Sequence, residues 1–321
     1  MSEMKNILVT GGTGFLGKHF LKSLPASGYA IFVLTRTQPE QSDNRIQYVQ
    51  GQLSDLEALA LPHIHVIVNI AGNKSDESKM LEVNVGGMHK LIAFAEKHKA
   101  KILHISSAGI YGIEQQQVEI ITEETLCLPN NEYERTKLGA EMILTSWGNS
   151  NPNSFVSLRP TNVVGEWDKG KKLLNLFKAI QTGKFFHVDK AAMVNYVYAR
   201  QVAQTMWELI EKNKFENTYY NANAPLSIGK FVEIICEELN HNSAVKQLPT
   251  LVKPLLYLMA QCFEIMPARY RFFSKGKYRE LTSHKYYSTT KLQSICPSDE
   301  SAQLRLGIRN LVAYYRDQHW L

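Results

Sequence analysis

The chain is short of cysteine. Its 321 residues hold four, Cys127, Cys236, Cys262 and Cys296, widely spaced and without a CxxC. That spacing excludes a disulfide scaffold or a thiolate zinc site and suits free thiols in a reducing compartment. The ten histidines form no HxxxH or HExxH. His63-x-His65 precedes a strand and lacks a nearby carboxylate, so no metal is expected. No run reaches 18 apolar residues, so none is long enough to span a bilayer as a helix. Met1 to Asn6 is short and polar, unlike a secretory leader, and a cytoplasmic location is the expectation. Low-complexity tracts and internal repeats are also missing. With 44% apolar and 21% charged residues, the composition is that of a globular chain of one large or two modest domains.

What is present begins at the N-terminus. The apolar run Ile7–Val9 breaks into Gly11, Gly14 and Gly17, and a helical period continues from Phe15 to Leu24. This is a strand, a tight turn and a helix. Gly11 permits the sharp turn, Gly14 lets the backbone approach a pyrophosphate, and Gly17 lets helix and strand pack closely. The helix N-terminus offers free N–H groups and a positive dipole end to phosphates.

Further apolar runs at Ala30–Leu34, Ile46–Val49, Val66–Ile70, Ile102–Ile105 and Ser154–Leu158 alternate with amphipathic helices. Six such strands predict an α/β fold, a Rossmann-type doubly wound parallel sheet with ligands beyond the carboxyl ends of its strands. After Gly165 the pattern loosens. Helices are expected at Leu173–Ile180, Arg200–Ile210, Ile228–Leu239 with Ser227 as its cap, Leu251–Met266 and Ala302–Tyr315, and short strands at Tyr196–Val197 and Tyr219–Asn221. The expected division is a dinucleotide domain of residues 1–165 plus about 194–222, and a smaller mixed α/β C-terminal substrate lobe of about 166–193 and 223–321.

Two more motifs carry chemistry. In Tyr133-Glu-Arg-Thr-Lys137 a spacing of four puts both side chains on one helical face. A phenol of pKa about 10 is a poor base at neutral pH, and a neighbouring ammonium favours the phenolate. Tyr133 can then exchange a proton with an alcohol or ketone oxygen. The strand Ile102–Ile105 ends at Ser106-Ser107, where Ser107 can hydrogen-bond that oxygen or cap the strand end.

These elements resemble the extended short-chain dehydrogenase/reductase family, also called the NAD(P)-dependent epimerase/dehydratase family. The resemblance covers nearly the whole chain. It rests on Thr10-Gly-Gly-Thr-Gly-Phe-Leu-Gly17, Asn84-Val-Gly-Gly87, the Ser-Ser-x-x-x-Tyr-Gly run at 106–112, Tyr133-xxx-Lys137 and Leu158-Arg-Pro-Thr-Asn162-Val-Val-Gly165. It implies that Tyr133 is the acid/base, that Lys137 tunes it and binds the nicotinamide ribose, and that Ser107 positions the reacting oxygen. It implies cofactor contacts from Gly11, Thr13, Gly14, Phe15, Leu16, Gly17, Gln52, Leu53, Ala71, Gly72, Asn84, Lys137, Pro160 and Asn162. It also implies a homodimer through the helices carrying Asn84 and Tyr133.

The second strand ends Val33-Leu34-Thr35-Arg36. The carboxylate that usually holds the ribose of NAD is missing, and a guanidinium suits a 2′-phosphate, so NADP(H) is expected over NAD. Other positions depart from the family. Gln52-Leu53 stands where Asp-Leu is common, Asn69-Ile-Ala-Gly72 where His-x-Ala-Ala is common, and Gly165-Glu-Trp-Asp168 where Gly-Pro-Gly-Asp is common.

Charge is uneven. Residues 253–291 carry eight bases against two acids, a surplus equal to the chain's whole net charge of +6. Arg269, Arg271 and Arg279, with Asn162, are the candidates for holding a substrate diphosphate. A nucleotide-sugar epimerase or reductase is the leading expectation. Ala108-Gly109 after Ser107 leaves no Asp-Glu pair for a dehydratase. A reductase of an apolar ketone, with Leu251–Met266 over a lipid-like substrate, and a non-catalytic cofactor sensor are the alternatives. That helix is expected to be an ordinary buried one rather than a membrane contact. Nucleic acid is not an expected partner, because Tyr270, Phe272, Phe273 and Tyr278 lack the spacing of a stacking platform.

Overall fold

Side-chain alternation along each strand decides what the sheet buries on its two faces. The computed structural model describes residues 4–39, 43–74, 76–241, 245–265 and 274–321. In chain order its strands are β1 (Lys5–Thr10), β2 (Tyr29–Thr35), β3 (Ile46–Gln50), β4 (Val66–Asn69), β5 (Lys101–Ile105), β6 (Ile120–Ile121), β7 (Phe155–Pro160), β8 (Asn162–Val164), β9 (Met193–Tyr198), β10 (Thr218–Ala222), β11 (Ala224–Ser227) and β12 (Tyr286–Tyr287). Seven of them form one sheet in the order β10-β7-β5-β4-β1-β2-β3, parallel throughout. The six expected strands are all in it, and the segment Tyr219–Asn221 supplies the seventh at the edge beside β7. Strand order reverses between β1 and β4, which opens a crevice beyond their carboxyl ends.

Ile7, Val9, Val33 and Ile105 face the helices Phe15–Lys22 and Ala199–Glu211, where the rings of Phe20 and Trp207 stack at 4.4 Å. Leu8, Ile67, Ile102 and Phe155 face the helices Gly87–His98 and Glu132–Ser150, packing against Leu91, Phe94, Ala140 and Leu144. A second sheet, β8-β9-β11, anchors the C-terminal lobe, whose core gathers Phe177, Phe231, Ile235, Leu304 and Ile308. Within the returning segment 194–222, β9 joins this small sheet, whereas the helix Ala199–Glu211 and β10 return to the large one.

One element departs from expectation. The apolar helix after Leu251 spans Lys253–Ile265, and Met266 lies outside the described residues. It is not buried as expected. Leu251, Leu255, Leu258 and Met259 are 92%, 57%, 56% and 42% exposed. Apolar periodicity reports that a helix has an apolar stripe, not which neighbour covers it.

The helix face of the large sheet turns polar toward its carboxyl edge. There Arg159 on β7 donates to Glu141 of the helix Glu132–Ser150 through Nη2 at 2.7 Å and Nε at 3.0 Å, and to the Tyr111 hydroxyl through Nη1 at 2.5 Å. Both charged side chains are almost wholly buried. Removing one partner strands the other charge, at a cost of about 3–5 kcal/mol, whereas removing both for apolar residues is far milder. Urea denaturation should therefore show Glu141→Leu losing about 3–5 kcal/mol and Glu141→Leu/Arg159→Met recovering at least half of it. A single-variant loss under about 1 kcal/mol would contradict the pairing.

Candidate active site

A cleft of about 580 Å³ lies at the switch point. The glycine turn forms one wall. Gly11 adopts φ +73°, and a Cβ there would stand 2.6 Å from the Ala71 nitrogen across the crevice. A Cβ on Gly17 would stand 2.2 Å from the Gly11 carbonyl. Both positions therefore require glycine for close backbone approach. Gly14 caps the helix Phe15–Lys22 without a side-chain bond, which leaves the helix's first N–H groups for a ligand. Ala71 and Gly72 line the opposite wall.

The floor is the end of β5. Ser107 is the cap of the short helix Ala108–Tyr111, its Oγ accepting the Gly109 N–H at 3.1 Å. Its hydroxyl proton stays available to a substrate oxygen. Ser106 also lines the cleft, and its buried Oγ has no partner. A buried orphan hydroxyl costs free energy unless something meets it. The glycine cradle, the open helix N-terminus and this hydroxyl together fit a bound dinucleotide.

Tyr133 and Lys137 reach the same cleft from the helix Glu132–Ser150, which Asn131 starts by accepting the Glu134 N–H at 3.0 Å. Lys137 is 3% exposed and donates to the Ile105 carbonyl at 2.7 Å. Burial pulls its ammonium down to about 8, against the raising pull of Glu141. Burial first, and then the Glu134 charge, push the Tyr133 phenol up to about 12. This upward shift runs opposite to the acidification by Lys137 expected from the sequence. The ammonium is committed to a backbone carbonyl, and the charge acting on the phenol is that of Glu134.

The cleft thus gathers Gly11, Gly14, Phe15, Leu16, Gly17, Ala71, Gly72, Ser107, Tyr133, Lys137, Pro160 and Asn162. Other expected contacts stand apart from its lining. Thr13 borders a neighbouring cavity with Lys18, Lys22 and Trp167. Arg36 is exposed just past β2. Gln52 caps the turn Leu53–Ala58, its N–H bonded to Asp55 at 2.9 Å, and Leu53 packs into the core. Asn84 is structural in this state. It sits in a π-helical stretch, Leu81–Gly86, accepting the Asn73 N–H at 2.8 Å and donating to Thr136 Oγ1 at 2.9 Å. It ties the loop after β4 to the Tyr133 helix. Arg279 is exposed outside the cleft, and Arg269 and Arg271 lie outside the described residues.

Sequence reasoning overlooked Ser106, Lys74, Tyr196 and Lys172. Lys74 lies two residues after Gly72, in the loop past β4, and Lys172 lies in the first turn of the helix Lys171–Gln181, so both carried the positional signal of residues near strand or helix ends. Lys172 pairs with Glu280 at 2.5 Å. The histidines 65 and 98 accept backbone N–H bonds from Asn6 and Ile64, at 3.0 and 3.1 Å.

Residues 7–222 match the model of the NAD dependent epimerase/dehydratase family. Across 97% of the chain and 91% of the relative, 27% of residues are identical to the N-acetyl-alpha-D-glucosaminyl-diphospho-ditrans,octacis-undecaprenol 4-epimerase of Escherichia coli O157:H7. The UDP-glucuronic acid 4-epimerase of Bacillus cereus, solved with NAD, superposes with a TM-score of 0.72 at 17% identity, covering 97% of this chain and 96% of that one. The RMD protein of Pseudomonas aeruginosa, solved with NADPH, gives 0.67 at 17% identity, covering 98% and 100%. At those identities the two structures share the fold. The match to the family model spans most of the chain, and the protein belongs to the NAD dependent epimerase/dehydratase family.

Proposed function

We propose that the protein is a 4-epimerase of a sugar carried on a diphosphate, using a nicotinamide dinucleotide bound along the glycine turn. The observation that carries this reading is the meeting of Ser107, Tyr133 and Lys137 in one cleft with Gly11, Gly14 and Gly17. When bound, the cofactor supplies reversible hydride transfer at the sugar carbon. The chain's own residues handle the oxygen. Ser107 hydrogen-bonds it, and Tyr133 gives or takes its proton. Epimerisation uses both directions: Tyr133 takes the hydroxyl proton as the alcohol is oxidised and returns it as the ketone is reduced. Lys137 holds positive charge at the cleft floor below about pH 8. Among the described residues Lys74 is the cation at hand for the diphosphate, with Lys172 beside it paired to Glu280.

The relative that acts on a diphospho-undecaprenol sugar supports epimerisation at the 4 position and widens the carrier beyond nucleotides. Dehydration is not supported, because Ala108-Gly109 bring no acid beside Ser107. The apolar-ketone reading gains nothing either, since among the described residues none of the helix Lys253–Ile265 lines the cleft.

Proton NMR of purified protein with UDP-N-acetylglucosamine and UDP-glucose tests the reading. It expects the 4-epimer to accumulate without net consumption of cofactor, and Tyr133→Phe to slow this about a hundredfold or more. Net oxidation with no epimer, or near-normal turnover by Tyr133→Phe, would contradict it.

NADP(H) is the preferred cofactor in this proposal. Arg36 stands exposed past β2, where a 2′-phosphate lies in such folds, and no carboxylate accompanies it in Thr35-Arg36-Thr37. Arg36→Ala should raise KM for NADP(H) about tenfold and leave KM for NAD unchanged, as loss of a charge-assisted contact implies. A wild-type preference for NAD, or an unmoved KM, contradicts this.

A further inference from the structure

An amphipathic helix at a protein surface ordinarily turns its apolar stripe inward. The helix Lys253–Ile265 does the reverse. Leu251, Leu255, Leu258 and Met259 recur at helical spacing and face solvent, with Cys262 exposed beyond them. Within the helix the only charged residues are Lys253 and Glu264. Lys253 is committed to Asp189 at 2.9 Å, and His284 flanks the same carboxylate at 3.6 Å. The stripe therefore carries no charge of its own.

Its border is basic. The strap 184–190 lies against residues 246–248 through His187 N–H to the Lys246 carbonyl (2.9 Å) and Leu248 N–H to the His187 carbonyl (2.8 Å). Lys184, Lys190 and Lys246 are exposed there, none in an ion pair among the described residues, and exposed Phe186 lies between the first two. The face also connects to the cleft. Tyr257 packs its ring 5.4 Å from that of Tyr278 on the helix Lys275–Glu280, and Glu280 of that helix pairs with the cleft-lining Lys172.

We propose that this face docks on the surface of an anionic lipid bilayer. The leucines and Met259 enter the headgroup boundary, and Lys184, Lys190 and Lys246 meet lipid phosphates. The cleft mouth beside Lys172 is then presented to sugar diphosphates held at the membrane, a consequence that rests on the function proposed above. Charge complementarity selects this occupant. A self-paired second copy would set one lysine rim against another, which is repulsive. Anionic headgroups neutralise the rim, each lysine near such a surface contributing about fivefold in binding.

Flotation of the full chain with vesicles of phosphatidylcholine and phosphatidylglycerol in equal parts, against phosphatidylcholine alone, tests the docking. Binding should be at least tenfold stronger to the anionic vesicles and weaken as salt is raised. Leu255→Glu/Leu258→Glu and Lys184→Glu/Lys190→Glu should each lower it about tenfold or more, while both keep wild-type turnover of a soluble sugar nucleotide. No binding by the wild type, or equal binding by the leucine variant, overturns the proposal. So does light scattering that finds a wild-type dimer broken by the leucine variant without vesicle binding, which assigns the face to a second copy. If the vesicle pattern holds while no soluble sugar nucleotide is turned over, the docking stands and the substrate reading falls.

Discussion

The hydrogen bond from Lys137 Nζ to the Ile105 carbonyl fixes the reactive end of this molecule. A buried ammonium is expensive to hold unless its donors are met. It is tolerated here because the sheet face under the helix Glu132–Ser150 changes character along its strands. Toward the amino ends, Leu8, Ile67, Ile102 and Phe155 are apolar. Toward the carboxyl ends the same face carries Thr10, Asn69, His104, Ser157 and Arg159. Thr10 donates to Asn69 at 2.7 Å, and Asn69 lies 3.1 Å from His104 Nδ1. Burial, then the Lys137 charge, hold the His104 ring well below its usual pKa, so it stays neutral and accepts. Ser157 and Arg159 bind Glu141, one turn beyond Lys137. The helix is thereby keyed to the strands by polar pairs as well as by packing, and Tyr133 is delivered to the cleft in one register.

The electrostatics of the cleft follow from this arrangement. Positive charge sits at its floor on Lys137 and at its rim on Lys74, while Lys172 at the rim is paired with Glu280. Negative charge sits behind the phenol. A Cβ on Gly109 would stand 3.0 Å from Glu134 Oε1, so that carboxylate overlies the turn after Ser107. Burial and this carboxylate both favour the protonated phenol, so Tyr133 can take a proton only where the positive charge at the cleft floor offsets them. Anionic ligands are drawn to the rim, and the neutral reacting oxygen is left to Ser107 and Tyr133.

The sheet was legible because most of its strands pair an apolar run with a glycine, serine or proline just after it, as in Ile7–Val9 before Gly11 and Ile102–Ile105 before Ser106. The glycine turn and the Tyr133–Lys137 spacing were legible for a similar reason, since backbone approach and helical period depend on local residue type. Long-range geometry was not. That Lys137 would spend its bond on Ile105 depends on how deeply the helix seats. The role of Asn84 depends on a π-helical turn, which no local pattern announced. The exposure of Leu251 and Leu255 depends on what the rest of the chain leaves uncovered. Of the basic segment, Arg279 stands outside the cleft, and Arg269 and Arg271 lie outside the described residues. Net charge locates a potential, not a contact.

The pH dependence of kcat/KM in the wild type and in Lys137→Arg tests the buried ammonium most directly. The free-enzyme profile reports groups whose ionisation matters before substrate binds. Lys137 is charged below about 8 and neutral above it. The rate should therefore be full below that point and fall as pH rises through it. In Lys137→Arg, a guanidinium that stays charged past about pH 12 should abolish that falling limb, whatever the residual rate. A wild-type profile flat through about pH 9, or an unmoved limb in the arginine variant, would contradict this account of the site.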